Sequence, residues 1–269
     1  MIDLTVVVLT KDEEANVGRC LEKLRWVPKV LVLDSGSKDG TERIAKSFPN
    51  VEWTTRPFDT FAGQCNYALS RLKSEWVLSI DADYILSDEV IREISHLGPG
   101  PEVCSYTARF VYCIDGKPLR GTLYRRGGPV LYRREKCRYA DLGHGHASQV
   151  EGKTVTLSNI IYHDDRKSLD RWTANQREYA RREVDFLFGP EPKEGWSVAD
   201  RLKRWGWLMP ILVPIYTLFV KGVVLDGRAV KIARVSASPR ELWHFAGFCR
   251  RLRHLSRQPC RCPPPSLLL

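Results

Sequence analysis

The sequence predicts an α/β fold: a Rossmann-like, mainly parallel sheet with a mixed-sheet extension and amphipathic helices toward the C-terminus. Short apolar runs rich in β-branched residues recur at 5–9, 30–33 and 76–80. They are too short for helices and too uniformly apolar for half-exposed strands, as buried parallel strands require. Segments of helical periodicity lie between them, which is the alternation of a right-handed βαβ chain. Near residue 100 the pattern changes to alternating strands and turns, which predicts the extension.

The elements follow in order. After the strand at 5–9, Val17, Cys20, Leu21 and Leu24 fall on one helical face. Asp12, Glu13 and Glu14 precede them, where a helix dipole would favour acids. The strand at 30–33 leads into a polar turn at 35–40, a short helix at 41–47 and a strand around 51–53. A helix is expected over 61–72, then the strand 76–80 ending in Asp81-Ala82-Asp83. Beyond it, 106–112 alternates, Asp115-Gly116 marks a hairpin turn and 130–133 reads as another strand. Ser168 is placed to cap a helix carrying Leu169, Trp172, Gln176, Tyr179 and Ala180.

The chain has 269 residues, 42 Lys+Arg against 32 Asp+Glu, 43% hydrophobic and 28% charged residues. This is globular usage and excludes a disordered, collagen-like or polytopic membrane chain. The net charge of +10 is unevenly placed: residues 201–269 hold 13 basic and 2 acidic residues, which leaves 1–200 at net −1. The expected organisation is one α/β domain over 1–200, with halves at about 1–100 and about 101–200. A basic-apolar helical region over 201–257 and a Pro-rich tail over 258–269 follow. Eight cysteines without a CxxC pair read as reduced, mostly core thiols. The N-terminus carries no signal-peptide pattern, so a cytoplasmic location is expected.

In an open parallel sheet, ligands bind beyond the carboxyl ends of the strands. Thr10, Asp12, Asp34, Asp81 and Asp83 all fall there. An Asp-x-Asp pair at a strand end offers two hard oxygen donors to Mg²⁺ or Mn²⁺, a cation that would neutralise a diphosphate leaving group. His163, closing the apolar stretch 160–162, is either a further metal ligand or a strand-end histidine hydrogen-bonded in place. Arg125, Arg126, Arg133 and Arg134 are either phosphate contacts or solvated edge residues.

Four motifs, VVVLTKDEE at 6–14, VLDSGSKDGT at 32–41, GQCNYALS at 63–70 and WVLSIDAD at 76–83, resemble in order and spacing the family 2 glycosyltransferases of the GT-A fold. The likeness is closest to the bacterial branch that includes lipopolysaccharide-core β-glucosyltransferases, and it continues more loosely through GHGH at 143–146, YHDD at 162–165 and Arg171-Trp172 to about 230. It implies that Thr10 and Asp12 line a nucleotide pocket, that Asp34 accepts a hydrogen bond from the base, and that Gln64 and Asn66 lie near the donor. By the same resemblance Asp81 faces the ribose or sugar, and Asp83 is the main metal ligand. Where many relatives carry a second Asp, this chain has Ser35. An inverting transferase also needs a base opposite the leaving group. Relatives use an acid paired with another acid or a histidine; here the order of preference is Asp141, His144, His146. The reaction implied is metal-dependent transfer from a nucleotide sugar, uridine-linked, to a lipid-linked saccharide, with 1–200 as the glycosyltransferase domain, about 1–100 as its nucleotide-sugar half and about 101–200 as its acceptor half.

Residues 206–220 are uncharged and interrupted by Pro210 and Pro214. A spanning helix needs ~20 apolar residues, so this segment instead suits an interfacial position, with Trp205 and Trp207 at its edge and flanking cations facing anionic lipid. Peripheral association with the inner face of the cell membrane is therefore expected, against a buried helix pair or a dimer contact. Two other classes compete. A nucleotidyltransferase would want a Gly-rich basic loop after the first strand, which residues 9–14 do not provide. A nucleic-acid binder would rest on the pI of 9.3 without a recognisable motif, and no nucleic-acid partner is expected.

Overall fold

The computed structural model describes residues 2–119, 128–142, 145–168, 170, 171, 174, 175, 215, 216 and 219, with the backbone alone for 142 and 145–147. The parallel part of the fold comprises β1 (Leu4–Thr10), α1 (Val17–Glu22), β2 (Val30–Asp34), α2 (Thr41–Ala45), β3 (Val51–Thr55), α3 (Phe61–Arg71) and β4 (Trp76–Asp81). β3, β2, β1 and β4 pair in that order, all parallel. β1 and β2 are buried almost throughout, which is why their sequences are continuous apolar runs.

Alternate side chains of these strands feed two cores. Val6, Val8, Val30, Val32, Leu78 and Ile80 face α1 and α2. Val7, Leu31, Leu33 and Val77 face α3, whose Ala62, Cys65, Ala68 and Leu69 form its inward stripe. Thr60 caps α3 by accepting from the Gly63 N–H at 2.9 Å.

The mixed extension consists of β5 (Tyr84–Leu86), α4 (Asp88–Ser95), β6 (Val103–Ile114), β7 (Lys117–Pro118), β8 (Pro129–Arg133), β9 (Cys137–Leu142), β10 (Gly145–Val150) and β11 (Lys153–His163). β8 pairs antiparallel with both β4 and β6, and β6 runs parallel to β11. Asp115 and Gly116 both have positive φ, 50° and 77°, so β6 and β7 are joined by the predicted tight hairpin. β9 and β10 form a separate hairpin lying on α3.

The acids at 12–14 do not open the first helix. α1 starts at Val17 with no acidic residue in its first turn. Asp12 and Glu14 instead accept from the Lys38 and Gly40 N–H groups, and Glu13 turns inward. Arg133 and Arg134 are likewise committed to the scaffold: Arg133 lies over the Trp76 ring and donates to the Val103 carbonyl, and Arg134 donates to that of Ser74. Arg125 and Arg126 lie outside the described residues. Cys20, Cys65, Cys104 and Cys137 are buried free thiols. Ser168 accepts from the Arg171 N–H at 3.3 Å, and 170, 171, 174 and 175 are helical, as the capping pattern predicts. Leu169, Trp172, Gln176, Tyr179 and Ala180 lie outside the described residues, as does nearly all of 201–269. Among the described residues no helix is long and apolar enough to cross a membrane.

Candidate active site

The parallel strands end in register at one edge. Thr10 pairs with Asp34 across β1 and β2, and Leu9 pairs with Asp81 across β1 and β4. The carboxylates are thus brought into one row by strand pairing. After Asp81 the chain turns through Ala82-Asp83 into β5, whose Tyr84 pairs antiparallel with His163 at the end of β11. That register places His163 Nε2 3.0 Å from an Asp83 carboxylate oxygen, and the Asp164 N–H donates to the Asp83 carbonyl at 3.0 Å.

The His163 ring is held on both sides. Its centroid lies 5.1 Å from Tyr84, edge to face, and 4.5 Å from Tyr112, which is its register partner on β6. Tyr84 in turn packs on Phe110 at 4.9 Å. These rings and Asp81 line a cleft of about 410 Å³, closed on its other side by Leu9, Tyr139 and Val130. A larger groove of about 600 Å³ runs between α1 and the β6–β7 hairpin. The smaller cleft is the one lined by the strand-end carboxylate Asp81 and by His163, the partner of Asp83, and it lies where ligands bind in an open parallel sheet.

Asp81 lies on the cleft floor, reached by solvent through the opening yet surrounded by protein mass. That surrounding mass, together with repulsion from Asp83, pushes its carboxyl up to about 6. Burial works the same way on Asp83, but the hydrogen bond and charge of His163, helped by Lys167, outweigh it and hold Asp83 below the usual carboxylate range. His163 is raised by the same partnership against its own burial.

The second Asp83 oxygen, Oδ1, is buried and has no hydrogen-bond partner. A buried carboxylate oxygen without a partner is costly, and a divalent cation would satisfy it. Two carboxylates and an imidazole are donors that suit Mn²⁺ or Mg²⁺. Among the described residues no group of three or more His, Cys, Asp or Glu side chains is arranged to hold a metal ion. An ion here would therefore complete its shell with substrate phosphates or water, as Mg²⁺ commonly does.

The remaining predicted residues are placed as follows. Asp34, 2% exposed, accepts from four groups: the hydroxyls of Thr10 and Ser37, and the N–H groups of Gly36 and Ser37. Its carboxylate organises the loop at 35–37, and a base would have to displace one of these donors to reach it. Asp12 has φ 52°; its carboxylate takes the Lys38 N–H and pairs with Arg171 at 3.1 Å. Gln64 donates to the carbonyls of Arg56 and Pro57. Asn66 exchanges two hydrogen bonds with the Tyr139 backbone, at 2.9 and 3.0 Å, and so pins β9 to α3. Asn66 and the Gln64 amide nitrogen thus bind the scaffold, while Gln64 Oε1 is buried without a hydrogen-bond partner. Asp141 is exposed, and the Ala62 N–H at the start of α3 points at it from 3.3 Å. It pairs in register with His146 across the β9–β10 hairpin. His144 and the His146 side chain lie outside the described residues.

The sequence reading missed a second layer. Segment 164–171 folds back over the loop between β1 and α1. Arg19 binds Asp164 at 2.8 Å, Asn16 binds Asp165 at 2.8 Å and accepts from the Arg166 N–H at 2.9 Å. Lys167 meets Glu13 in an ion pair whose partners are only 12% and 13% exposed. The signal available was the charge density of 164–167 itself, directly after a strand-end histidine.

An open α/β sheet whose strand ends gather carboxylates beside a cleft has the arrangement of a ligand-binding site. The chain matches Glycosyl transferase family 2 over residues 5–146 and belongs to that family; it is a glycosyltransferase. It is 32% identical over 145 residues to the lipopolysaccharide core biosynthesis glycosyltransferase LpsC of Rhizobium meliloti (strain 1021), a match spanning 51% of this chain and 53%, about half, of that protein. It is 27% identical over 243 residues to an uncharacterized glycosyltransferase of Rickettsia prowazekii (strain Madrid E), covering 81% of this chain and 80% of the other. Among solved structures it is similar to glucosyl-3-phosphoglycerate synthase from Mycobacterium tuberculosis in complex with Mn²⁺, uridine diphosphate and phosphoglyceric acid, at 18% identity and TM-score 0.46, over 71% of this chain and 80% of that one.

Proposed function

We propose that the chain is an inverting, Mg²⁺- or Mn²⁺-dependent glycosyltransferase that moves a sugar from a uridine diphosphate sugar to a lipid-linked saccharide of the lipopolysaccharide-core type. The observation that carries this reading is the Asp83–His163 hydrogen bond at the carboxyl edge of the sheet, with Asp83 Oδ1 left without a partner and with Asp81 and His163 both lining the cleft. Asp83 would hold the cation, with Asp81 and His163 beside it. When bound, that cation supplies charge to stabilise the departing diphosphate. Tyr84 and Tyr112 keep the His163 imidazole from rotating away, and Asp34 keeps the loop at 35–37 in the shape that the nucleotide meets.

Asp141 is the proposed base. It stands in solvent at the mouth of α3, on the strand next to the cleft residue Tyr139, and can take the acceptor hydroxyl's proton as attack proceeds. His144 and His146 follow it in preference. The acceptor class is supported by the relative named for lipopolysaccharide core biosynthesis and by the basic C-terminal quarter. Within the uncharged run at 206–220, Ile215, Tyr216 and Phe219 are 52%, 47% and 68% exposed. Large apolar side chains facing water beside a cationic segment suit an anionic membrane surface, at the cytoplasmic face where nucleotide sugars are present. The test is a screen of nucleotide sugars with Mn²⁺, read by product mass. Sugar release or transfer from a uridine diphosphate sugar is expected; no turnover of any nucleotide sugar would sink the reading.

A further inference from the structure

Asp164 directly follows His163 and is 4% exposed. Tyr162 and Asp164 line the larger groove beside α1, whereas His163 between them lines the cleft, the alternation of an extended chain. The Asp164 carboxylate therefore lies on the side of the chain away from the chemistry, yet it gathers donors from three separate segments. Its Oδ1 accepts the Gly116 N–H of the β6–β7 hairpin at 3.0 Å, and its Oδ2 accepts from Arg19 of α1 at 2.8 Å and from Arg166 at 2.9 Å. Arg19 reaches further, because its second terminal nitrogen donates to the Asp164 carbonyl at 2.7 Å. The Asp164 N–H donates to the Asp83 carbonyl at 3.0 Å. The N–H, the carbonyl and the carboxylate of this one residue are thus all bonded. A buried ionic cluster adds little stability over an apolar contact of the same size; what directional bonds from three sides add is a fixed position.

Resting on the metal reading above, we propose that Asp164 is a positioning residue for the cation site: its clamp on α1, the β6–β7 hairpin and the loop of Asp83 sets the end of β11 so that the His163 imidazole meets Asp83. Strand pairing brings His163 beside Tyr84 and Tyr112, and those rings limit its tilt. The clamp acts on the next peptide, where β11 has ended and no further strand pairing holds the chain. Groups that hold a metal's ligands from behind are commonly worth about ten- to a hundredfold in metal affinity. Arg19 shares the task, since it alone grips both the carboxylate and the carbonyl of Asp164.

The test is calorimetric binding of UDP to the full chain, in Mn²⁺ and in excess chelator. Asp164→Asn keeps the side chain's shape and removes the charge that Arg19 and Arg166 share. It is expected to weaken UDP in Mn²⁺ by about tenfold and to leave the weaker binding in chelator unchanged. A residue that served only the scaffold would lower both together. Arg19→Lys keeps the positive charge but cannot span the carboxylate and the carbonyl at once, so the same selective loss is expected from it. Adding Asp164→Asn to Asp83→Asn is expected to weaken UDP in Mn²⁺ little further. Equal weakening with and without metal, or UDP affinity in Mn²⁺ unchanged in Asp164→Asn, would overturn the inference; should Asp164→Asn fail to fold, the same two outcomes in Arg19→Lys decide. If the parent binds UDP as tightly in chelator as in Mn²⁺, the metal reading itself fails and this inference falls with it.

Discussion

Asp34→Asn separates a residue that shapes a loop from one that touches the ligand. In the native site the Asp34 carboxylate accepts from the Gly36 and Ser37 N–H groups, each at 2.7 Å, and from two hydroxyls. Asparagine keeps one acceptor oxygen for the hydroxyls but turns an NH₂ toward the two backbone donors. Hydrogen bonds to a charged acceptor are worth ~1.5 to 3 kcal/mol each, so losing two costs about 3 kcal/mol at the lower end of that range. For a chain of this size this is a fall in melting temperature of roughly 6 to 12 °C. The assay is thermal unfolding followed by near-ultraviolet circular dichroism, alongside nucleotide binding. Both stability and nucleotide affinity are expected to drop together. Unchanged melting with lost nucleotide binding would refute the reasoning and return Asp34 to direct contact with the base.

Asn66→Ala removes both hydrogen bonds that tie β9 to α3. It should cost about 1 to 2 kcal/mol and speed proteolysis within 137–150; a hairpin as resistant as the parent's would contradict the scaffold role. Glu13 gives stability a pH dependence. Its carboxyl rises from 4.5 to about 7 on folding, chiefly through burial, so between those values the native chain holds a proton that the unfolded chain has released. The contribution, on the order of 3 kcal/mol, is fully present below about 4.5 and is lost as pH rises through about 7. Urea unfolding at pH 5 and pH 8 should show the parent less stable at the higher pH, with the difference reduced in Glu13→Gln; an equal difference in both proteins would refute it.

The strands β1, β2 and β4 were legible because they are buried on both faces over most of their length, and burial on both faces writes a continuous apolar run, whereas the edge strand β3 is half-exposed and mixed in sequence. The carboxyl-edge residues followed from strand ends alone. Other elements were written less plainly. β5 has three residues, too few for any period to show. α4 did leave a signal, with Ser87 accepting from the Val90 N–H and Asp88 and Glu89 in its first turn, and that signal went unread. The Asp83–His163 contact joins residues 80 apart and depends on β11 lying beside β5, which no local pattern encodes. Residues 12–14 misled because acids before an amphipathic run serve a helix dipole as readily as a loop. Only the position of 164–171 shows that Glu13 answers Lys167. Gln64 and Asn66 carry motif identities that resemble a donor site, yet their partners are backbone groups on neighbouring elements, visible only once β9 is seen lying on α3.

The central claim is that Asp83, with Asp81 and His163 beside it, holds a divalent cation through which the donor's diphosphate binds. Its most direct test is calorimetric titration of UDP into the full chain with Mn²⁺ and again with excess chelator, for the parent and for Asp83→Asn. The account predicts that chelator and Asp83→Asn each weaken UDP by at least about tenfold, and that adding chelator to the variant weakens it little further. UDP binding equally tight without metal, or unaffected in Asp83→Asn, would contradict it.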